Sequence, residues 1–274
     1  MQHVVVTGGA GFIGSHLVEE ALKRNLFVTV FDNFESGYLH NISNFMRDHR
    51  VKMHCGSIMD KEALAAALKG ADTVFHLGAL ISVPESMTQM SRYVQVNTVG
   101  TLNVLEVAND VGVKNLVLSS SAAIYGNNPK VPKKESMLPE PMSPYAITKL
   151  DGEYYFEMYR REFGLNAVSL RYFNVFGPRQ DPKSQYAAAI PIFVSRALKN
   201  EPIIIYGDGK QTRDFIYVKD VVQANFLVAE KGGDLYNAAY GKKLTILKLA
   251  QDIIKMTDSK SEIIHEQERA GDVK

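Results

Sequence analysis

The sequence contains little cysteine, little net charge and no long apolar run. Cys55 is the only cysteine among the 274 residues, which excludes an internal disulfide and a metal site built from several thiolates. The 31 Lys and Arg residues nearly balance the 30 Asp and Glu residues, whereas a nucleic-acid or anionic-membrane partner favours a basic excess. No run approaches the roughly 18 apolar residues of a membrane helix. We therefore expect no metal site, no nucleic-acid partner and no membrane partner.

The start of the chain and its single thiol bear on the compartment. A strand pattern begins at His3, so we expect no signal peptide. Cys55 ends a strand-like run at residues 51–55, so we expect a buried, unreactive thiol. A low cysteine content fits a reducing compartment, and the expected location is the cytoplasm.

The first two-thirds of the chain alternate short hydrophobic runs with amphipathic segments. The runs are rich in Val, Ile, Leu and Phe, as expected of strands covered on both faces. They lie at residues 4–7, 27–31, 51–55, 73–77, 115–119 and 167–171. Helical periodicity is found at residues 11–24, 61–69, 90–111 and 144–163. This alternation predicts an α/β fold with a Rossmann-type, doubly wound parallel sheet.

The pattern changes after about Asn174. A loop rich in Pro, Gln and Asp at residues 177–184 is followed by short strands and by helix-like segments at residues 187–199, 218–230 and 245–256. We predict a Rossmann domain over residues 1–174 and a smaller mixed α/β lobe over residues 175–274.

A glycine-rich turn follows the first predicted strand. Gly8, Gly11 and Gly14 fit the pattern G-x-x-G-x-x-G between a strand and a helix. Residues without Cβ let the backbone approach a pyrophosphate at the helix N-terminus. Asp32 ends the second strand, where a carboxylate accepts hydrogen bonds from ribose hydroxyls and repels a 2′-phosphate. Together these features predict NAD rather than NADP as the cofactor.

A tyrosine, a lysine and a serine form a candidate chemical centre. Tyr145 and Lys149 are spaced i, i+4 on a predicted helix and therefore share a face. A nearby ammonium favours the phenolate, so we expect the pKa of Tyr145 to be lowered toward that of a working acid or base. The serines at residues 119–121 end the fifth strand, on the sheet edge where ligands bind. We expect one of them to bond a substrate oxygen and relay its proton to Tyr145.

Taken in order, the motifs resemble the extended short-chain dehydrogenase/reductase superfamily, and within it the nucleotide-sugar epimerases of the UDP-glucose 4-epimerase type. The matching segments cover essentially the whole chain. They are TGGAGFIG (7–14), Asp32-Asn33, HLGA (76–79), Asn97 before Gly100-Thr101, SSSAAIYG (119–126), SPYAITK (143–149), LRYFNVFG (170–177), GDGKQTRDFIYV (207–218) and RAGD (269–272). The resemblance implies an NAD-dependent enzyme that inverts C4 of a UDP-hexose through a transient 4-keto sugar. Tyr145 would be its base, Lys149 the electrostatic partner and Ser121 the catalytic serine.

The same resemblance implies the ligand contacts, with NAD in the larger domain and the nucleotide sugar in the smaller lobe. NAD would be bound by Gly8, Gly11, Phe12, Ile13, Asp32, Asn33, Ser36, Gly37, Ser57, Ile58, Leu77, Gly78, Ala79, Asn97, Ser119, Tyr145, Lys149 and Phe173. The UDP-sugar would be bound by Ser121, Tyr145, Asn174, Ala188, Ala189, Phe193, Arg213, Arg269 and Asp272. Two arginine forks suit the oxygens of one diphosphate, so a nearly neutral chain can bind a dianion.

Three positions bear on the substrate. Ala122 and Ala123 stand where dehydratases and decarboxylases of nucleotide sugars carry acidic residues, and they cannot supply the acid and base that expel a hydroxyl. Ile81 stands where the typical hexose epimerase has Lys, as in the branch that handles N-acetylated or uronic sugars. UDP-glucose, UDP-N-acetylglucosamine and UDP-glucuronate therefore stay open as substrates. A dehydratase, a reductase and a non-catalytic NAD-binding regulatory protein are the alternatives.

The resemblance also implies an assembly and a longer lobe. The helices predicted at residues 90–111 and 144–163 carry apolar stripes, and the matching helices of the superfamily often pair in a four-helix dimer interface. We therefore expect a homodimer. Related chains continue for tens of residues beyond the RAGD segment, so the smaller lobe is expected to be incomplete at its C-terminal end.

Overall fold

Strands and helices alternate along most of the chain. The computed structural model describes residues 1–182 and 189–267. In chain order the strands are β1 (His3–Thr7), β2 (Phe27–Asp32), β3 (Val51–Cys55), β4 (Thr73–His76), β5 (Asn115–Ser121), β6 (Asn166–Tyr172), β7 (Asn174–Phe176), β8 (Ile203–Tyr206), β9 (Thr212–Tyr217), β10 (Leu235–Ala238), β11 (Lys243–Thr245) and β12 (Ile263–Glu266). The α-helices are α1 (Phe12–Lys23), α2 (Lys61–Leu68), α3 (Val83–Thr88), α4 (Met90–Tyr93), α5 (Gly100–Asp110), α6 (Pro144–Phe163), α7 (Ala189–Leu198), α8 (Val218–Lys231) and α9 (Ile246–Met256).

Seven of the strands form one parallel sheet in the order β10-β6-β5-β4-β1-β2-β3. At the end of β1, Thr7 pairs with Phe31 of β2 on one side and His76 of β4 on the other. The strand order reverses at β1 and β4, and in doubly wound sheets the crevice beyond the carboxyl ends at such a point binds the ligand. The predicted Rossmann-type sheet is confirmed.

Helices cover both faces of this sheet. Val74 of β4 belongs to one core cluster with Leu105 of α5 and Phe156 of α6. The ring of Phe75, the next residue, lies 4.9 Å from that of Phe226 on α8. Because successive strand residues point to opposite faces, α8 covers the face opposite α5 and α6.

The helix that carries Tyr145 and Lys149 has strong signals at both ends. Ser143 Oγ accepts a hydrogen bond from the backbone N–H of Ala146 at 3.2 Å, and Pro144 occupies the first turn. Gly164 ends the helix in the left-handed region at φ 71°. Because α6 lies in the crossover from β5 to β6, its N-terminus lies at the carboxyl edge of the sheet.

The helix predicted over residues 90–111 is interrupted. A π-helical turn, Val94–Val99, separates α4 from α5. Such turns are rare and often lie at functional sites. This one contains Asn97, whose side chain binds the backbone of Leu80. Local periodicity does not distinguish this turn from an α-helix, and the short helix α3 was not predicted either.

The chain divides into two compact units at positions that differ from the predicted boundary. The large unit contains residues 1–172 and 218–238, and the small unit contains residues 173–182, 189–217 and 239–267. The single boundary predicted at residue 174 is therefore wrong for α8 and β10, which belong to the large unit. They belong there because Phe226 of α8 is fully buried against the large sheet and β10 pairs with β6 from Leu235 to Ala238.

The small unit is itself mixed α/β, as predicted. Its three-stranded sheet has the order β11-β9-β7, with one antiparallel and one parallel pairing. A second, parallel pair joins β8 and β12. The helices α7 and α9 pack with β8 around a separate core that includes Phe193, Ile205 and Leu249.

The single cysteine is exposed, so the predicted buried thiol is wrong. Cys55 lies at the end of the edge strand β3.

The helices and the potential metal ligands also bear on the expected partners. Over residues 1–182 and 189–267, every helix is too short or too polar to cross a bilayer. In the same part of the chain, the His, Cys, Asp and Glu side chains form no group of three suited to a metal ion.

Candidate active site

The turn after β1 is packed so closely that it requires glycine. A Cβ on Gly14 would lie 2.1 Å from the oxygen of Gly8, and a Cβ on Gly8, at φ 68°, would lie 2.9 Å from the nitrogen of Gly78. Gly11, which has no side chain, precedes the first residue of α1, and the first turn carries no acidic residue. The positive end of the helix dipole is therefore available to an anion. This cradle fits the pyrophosphate of a dinucleotide.

Asp32 is buried beside the same turn. Its carboxylate accepts hydrogen bonds from the backbone N–H groups of Ala10 at 2.9 Å and Phe34 at 2.8 Å. Burial raises the pKa of Asp32, and the two hydrogen bonds oppose that rise. Each carboxylate oxygen keeps a lone pair that can accept from a ribose hydroxyl. The position suits the predicted preference for NAD.

The other residues predicted to bind the cofactor in the large unit follow the ends of neighbouring strands. Phe12 and Ile13 open α1, Asn33, Ser36 and Gly37 follow β2, Ser57 and Ile58 follow β3, and Leu77, Gly78 and Ala79 follow β4. The turns after β2 and β3 are shaped by their own side chains, since Asn33 Oδ1 accepts from Glu35 N at 3.2 Å and Ser57 Oγ accepts from Met59 N at 3.2 Å. Their contacts with NAD stay predictions.

Two residues predicted to bind the cofactor are already held by protein groups. Asn97 Nδ2 donates to Leu80 O at 3.0 Å and to Thr148 Oγ1 at 3.1 Å, which uses both of its N–H groups. Its Oδ1 accepts from Leu80 N at 2.8 Å. The main-chain oxygen of Ser119 accepts a hydrogen bond from Lys149 Nζ at 2.8 Å. The contacts of Asn97 and Ser119 with the protein are therefore structural, and their contacts with NAD stay predictions.

Ser121, Tyr145 and Lys149 come together at the carboxyl end of β5. The Ser121 hydroxyl lies near enough to the Tyr145 phenol to lower its pKa, and it accepts from Ala123 N at 3.1 Å. Lys149 is buried, and its Nζ donates to Ser119 O at 2.8 Å and lies 5.9 Å from the centre of the Tyr145 ring. The three side chains thus lie together at this strand end, and their catalytic roles stay predictions.

The electrostatics of this site differ from the prediction. Tyr145 keeps part of its surface exposed, but burial of the phenol raises its pKa, and the nearby Ser121 hydroxyl opposes the rise only in part. Burial also lowers the pKa of Lys149 to about 8. The expected lowering of the Tyr145 pKa by Lys149 is therefore wrong for the protein alone, because desolvation of the phenol dominates. A cationic group bound beside the phenol shifts the balance toward phenolate.

A buried ion pair behind the site was not predicted. Arg171 of β6 donates to Glu153 of α6 through Nε at 2.9 Å and Nη2 at 2.7 Å. Glu153 also accepts from the Ser120 hydroxyl, and the guanidinium lies 4.8 Å from the centre of the Tyr125 ring. These contacts tie α6 to β5 and β6, and they leave Ser121 as the serine at the open end of the strand. The i, i+4 spacing with Lys149 places Glu153 on the same face of the helix, but the sequence pattern does not indicate Arg171 as its partner.

The small unit holds the remaining predicted contacts. Those within the described residues are Phe173, Asn174, Ala189, Phe193 and Arg213. Asn174 is exposed, and its Nδ2 donates to Asp214 O at 2.8 Å. Phe193 is 4% exposed and packs in the core of the unit, which gives it a structural role; its contact with the nucleotide stays a prediction.

Three predicted contacts lie outside the described residues. They are Ala188, Arg269 and Asp272. The predicted pair of arginines on one diphosphate, Arg213 and Arg269, and the contact of Asp272 with a ribose hydroxyl stay predictions.

Comparison with known proteins gives one family. Residues 4–239 match the NAD dependent epimerase/dehydratase family. Over 272 residues the chain is 36% identical to a putative UDP-glucose 4-epimerase of Methanocaldococcus jannaschii, covering 98% of this chain and 87% of that protein.

Two solved structures are similar over almost the whole chain. One is a UDP-N-acetylglucosamine 4-epimerase from Methanobrevibacter ruminantium in complex with UDP-N-acetylmuramic acid, with 44% identity, a TM-score of 0.96, and coverage of 100% of this chain and 87% of that one. The other is a UDP-glucose 4-epimerase from Thermotoga maritima with UDP-glucose, with 40% identity, a TM-score of 0.93, and coverage of 99% and 88%.

Proposed function

Because this chain belongs to the NAD-dependent epimerase/dehydratase family, we propose that it inverts C4 of a UDP-hexose through a transient 4-keto sugar. The observation that carries the proposal is the meeting of Ser121, Tyr145 and Lys149 at the carboxyl end of β5. The glycine turn and Asp32 lie on the same edge of the same sheet. An acid–base group beside a dinucleotide cradle is what reversible oxidation of a hydroxyl requires.

The cofactor of this reaction is NAD. The close approach of Gly8 to Gly78 and the uncapped start of α1 fit its pyrophosphate, and Asp32 fits its unphosphorylated ribose. The chemistry that bound NAD would supply is a reversible hydride acceptor for C4 of the sugar, which inversion requires on both faces of the ring.

The chain's own residues handle the proton. Tyr145 removes the proton of the 4-hydroxyl, and the Ser121 hydroxyl bonds the same oxygen and relays the proton. The Lys149 ammonium stabilises the phenolate that Tyr145 must become. The same groups return the proton when the ketone is reduced, so the reaction uses no external acid or base. Inversion also requires an anchored UDP and a hexose free to present its other face.

The proposed substrates are UDP-glucose and UDP-galactose or a UDP-N-acetylhexosamine. The two similar solved structures, a UDP-N-acetylglucosamine 4-epimerase and a UDP-glucose 4-epimerase, support both classes. Ala122 and Ala123 form the 3₁₀ turn directly after Ser121 and are half-buried. A 4,6-dehydratase needs carboxyl groups there, so dehydration is disfavoured. A UDP-glucuronate 4-epimerase or a reductase would also fit the site, and analysis of the products from the three UDP-sugars distinguishes them.

A non-catalytic NAD-binding regulatory protein is the alternative from another class, and Tyr145→Phe tests it. For an enzyme, we expect this variant to form the 4-epimer at least about 100-fold more slowly, with the affinities for NAD and UDP-sugar kept. Tyr236→Phe, at an exposed tyrosine of β10 in the large unit, is the control and keeps the rate. A wild-type protein that holds NAD but converts none of the three UDP-sugars would contradict the proposal.

We further propose that the protein is a homodimer, located in the cytoplasm. On α6, Ile147, Tyr154 and Met158 are 46%, 57% and 40% exposed, and their spacing of seven and four residues places them on one helix face. An exposed apolar stripe of this kind fits a two-fold interface.

Light scattering tests the assembly. Ile147→Glu is expected to give a monomer, whereas Leu198→Glu, at a leucine 67% exposed in the small unit, leaves the dimer intact. A monomeric wild-type protein contradicts the dimer, and cell fractionation tests the location.

A further inference from the structure

A continuous chain of buried hydrogen bonds runs from the glycine turn to the backbone of Tyr145. Its side chains are Thr7, His76, Thr101, Asn97 and Thr148, and each is at most 4% exposed. Of these five residues, only Asn97 is among those predicted to bind a ligand. Asn97 itself proves to be a link between two protein segments.

The cofactor end of this chain is Thr7. Its Oγ1 accepts hydrogen bonds from the backbone N–H groups of Leu77 at 3.2 Å and Gly78 at 3.1 Å. Gly78 is the residue that approaches Gly8. Thr7 therefore fixes the wall of the dinucleotide cradle that follows β4.

The proton positions at His76 follow from counting donors and acceptors. A hydroxyl has one hydrogen and two lone pairs, and both lone pairs of Thr7 are used. Its hydrogen therefore goes to Nδ1 of His76, at 2.7 Å. On the other side, Thr101 donates to Asn97 O, so its oxygen accepts from Nε2–H of His76 at 3.0 Å. The imidazole is neutral and carries its proton on Nε2.

The environment favours the same state. Burial, and to a smaller extent the charge of Lys149, lowers the pKa of His76 to about 3. A second proton on Nδ1 would face the hydroxyl hydrogen of Thr7 and break the chain at its centre.

The catalytic end of the chain begins at Asn97. Its amide holds the backbone of Leu80 through both an N–H and an oxygen and donates to Thr148. The Thr148 hydroxyl in turn donates to the main-chain oxygen of Tyr145 at 2.8 Å, within the first turns of α6. The segment of residues 77–80, which borders the cradle, is thus hydrogen bonded at its start by Thr7 and at its end by Asn97. His76 links these two residues through its bonds to Thr7 and Thr101.

We propose that His76 is a positioning residue, which holds the dinucleotide cradle and the first turn of the Tyr145 helix in fixed relation as a neutral Nε2–H imidazole. It touches neither ligand and acts through Thr7 on one side and through Thr101, Asn97 and Thr148 on the other. Its kinetic consequence rests on the proposed epimerase function, whereas its protonation state and its effect on NAD binding do not.

The first test is the protonation state. Long-range proton–nitrogen NMR of the ¹⁵N-histidine-labelled protein is expected to show His76 as the neutral Nε2–H tautomer, unchanged from pH 5.5 to 8. The His76 signals are assigned by the shift they undergo in Thr101→Ser. A Nδ1–H tautomer, or an imidazole that titrates in this range, would overturn the proposal.

The second test breaks the chain on its catalytic side. Thr101→Val keeps the shape of the side chain but removes the acceptor for His76. We expect NAD to bind about 5- to 100-fold more weakly, as for a buried donor left unpaired, although Thr101 lies outside the cradle. The rate of epimer formation falls over the same range, and the KM for the UDP-sugar stays within twofold. Thr101→Ser restores both.

Thr73→Val is the matched control for loss of stability. Thr73 is fully buried on the same strand as His76, and its hydroxyl accepts from Asn115 Nδ2 at 3.3 Å, away from the chain. We expect it to keep the affinity for NAD and the rate. Equal effects of Thr101→Val and Thr73→Val, or no effect of either, would overturn the positioning role. If the wild-type protein makes no epimer, the proposed function fails, and the tautomer and the NAD affinities still decide the role of His76.

Discussion

The buried ammonium of Lys149 donates a hydrogen bond to the main-chain oxygen of Ser119 at 2.8 Å. This contact places the charge of α6 at the carboxyl end of β5, one residue before the Ser120 that binds Glu153. The strand end and the helix are therefore joined by two side chains one turn apart on α6. That geometry holds Tyr145 and Ser121 at the carboxyl end of β5, where the proposed function requires both to contact the substrate hydroxyl.

The buried Lys149 predicts how stability depends on pH. The pKa of Lys149 is about 8 in the folded protein, against an ordinary lysine value of 10.5, so the folded protein binds fewer protons between these two pH values. The free energy of unfolding therefore rises with pH in this window, and the penalty is complete below pH 8. We expect the wild type to gain up to about 3 kcal/mol relative to Lys149→Met between pH 8 and 10.5.

Urea unfolding of both proteins at several pH values measures this difference, in which shared titrations cancel. Lys69→Met, at an exposed lysine, controls for the loss of one ammonium group. A wild-type minus Lys149→Met difference that stays constant from pH 8 to 10.5 would show that Lys149 is not desolvated.

The ionisation of Tyr145 is expected to depend on the cofactor. Because burial raises the pKa of its phenol, the protein alone keeps Tyr145 protonated at neutral pH, and the positive nicotinamide ring lowers that pKa. Absorbance at the tyrosinate band, taken as wild type minus Tyr145→Phe, follows this group. The expected midpoint lies above pH 10 without NAD and falls when NAD is added. A midpoint below 10 in the free protein would restore the direct effect of Lys149.

Gly14 is expected to tolerate no side chain. The Cβ of Gly14→Ala would lie 2.1 Å from the oxygen of Gly8, so the turn must open. We expect a loss of stability of about 1–3 kcal/mol, typical of overpacking, and loss of NAD binding by calorimetry. Gly112→Ala is the control for the loss of stability that any glycine-to-alanine change can cause. Its φ of 81° is unfavourable for alanine, but its Cβ would meet open space, so we expect it to keep the affinity for NAD. Normal NAD affinity in Gly14→Ala would show that the turn is not the pyrophosphate site.

Replacing one residue of the Glu153–Arg171 ion pair is expected to lower the free energy of unfolding more than replacing both. Both side chains are at most 7% exposed, so Arg171→Met leaves a buried carboxylate and is expected to cost about 3–5 kcal/mol. The double variant Glu153→Met with Arg171→Met regains a large part of that loss. Chemical denaturation of the wild type, Glu153→Met, Arg171→Met and the double variant measures the coupling, and independent, additive effects of the two single changes would contradict it.

The sequence predicts the elements that local pattern controls. The parallel strands, the glycine turn of Gly8–Gly14 and the joint position of Ser121, Tyr145 and Lys149 follow from apolar runs and from the rule that sheet ligands bind at carboxyl ends. It does not predict features that depend on tertiary contacts. Phe226 returns α8 to the large unit through burial, and Asn97 is held by Leu80 and Thr148, neither of which periodicity reveals.

The pKa of Tyr145 shows the same limit in electrostatics. An i, i+4 lysine is visible in the sequence, but the desolvation that outweighs it depends on the packing around the phenol. Phe193 is a further case, since its apolar side chain fits a binding wall as well as a core, and only the fold places it in the core.

Isotope retention at C4 tests the central claim most directly. UDP-glucose and UDP-N-acetylglucosamine, each deuterated at C4, are incubated with the protein and NAD, and the products are resolved by proton NMR. Oxidation and return of the same hydride predicts the galacto epimer of at least one sugar with deuterium retained at C4, and no such product from Tyr145→Phe. No epimer from either sugar, or an epimer that carries solvent hydrogen at C4, would contradict the account.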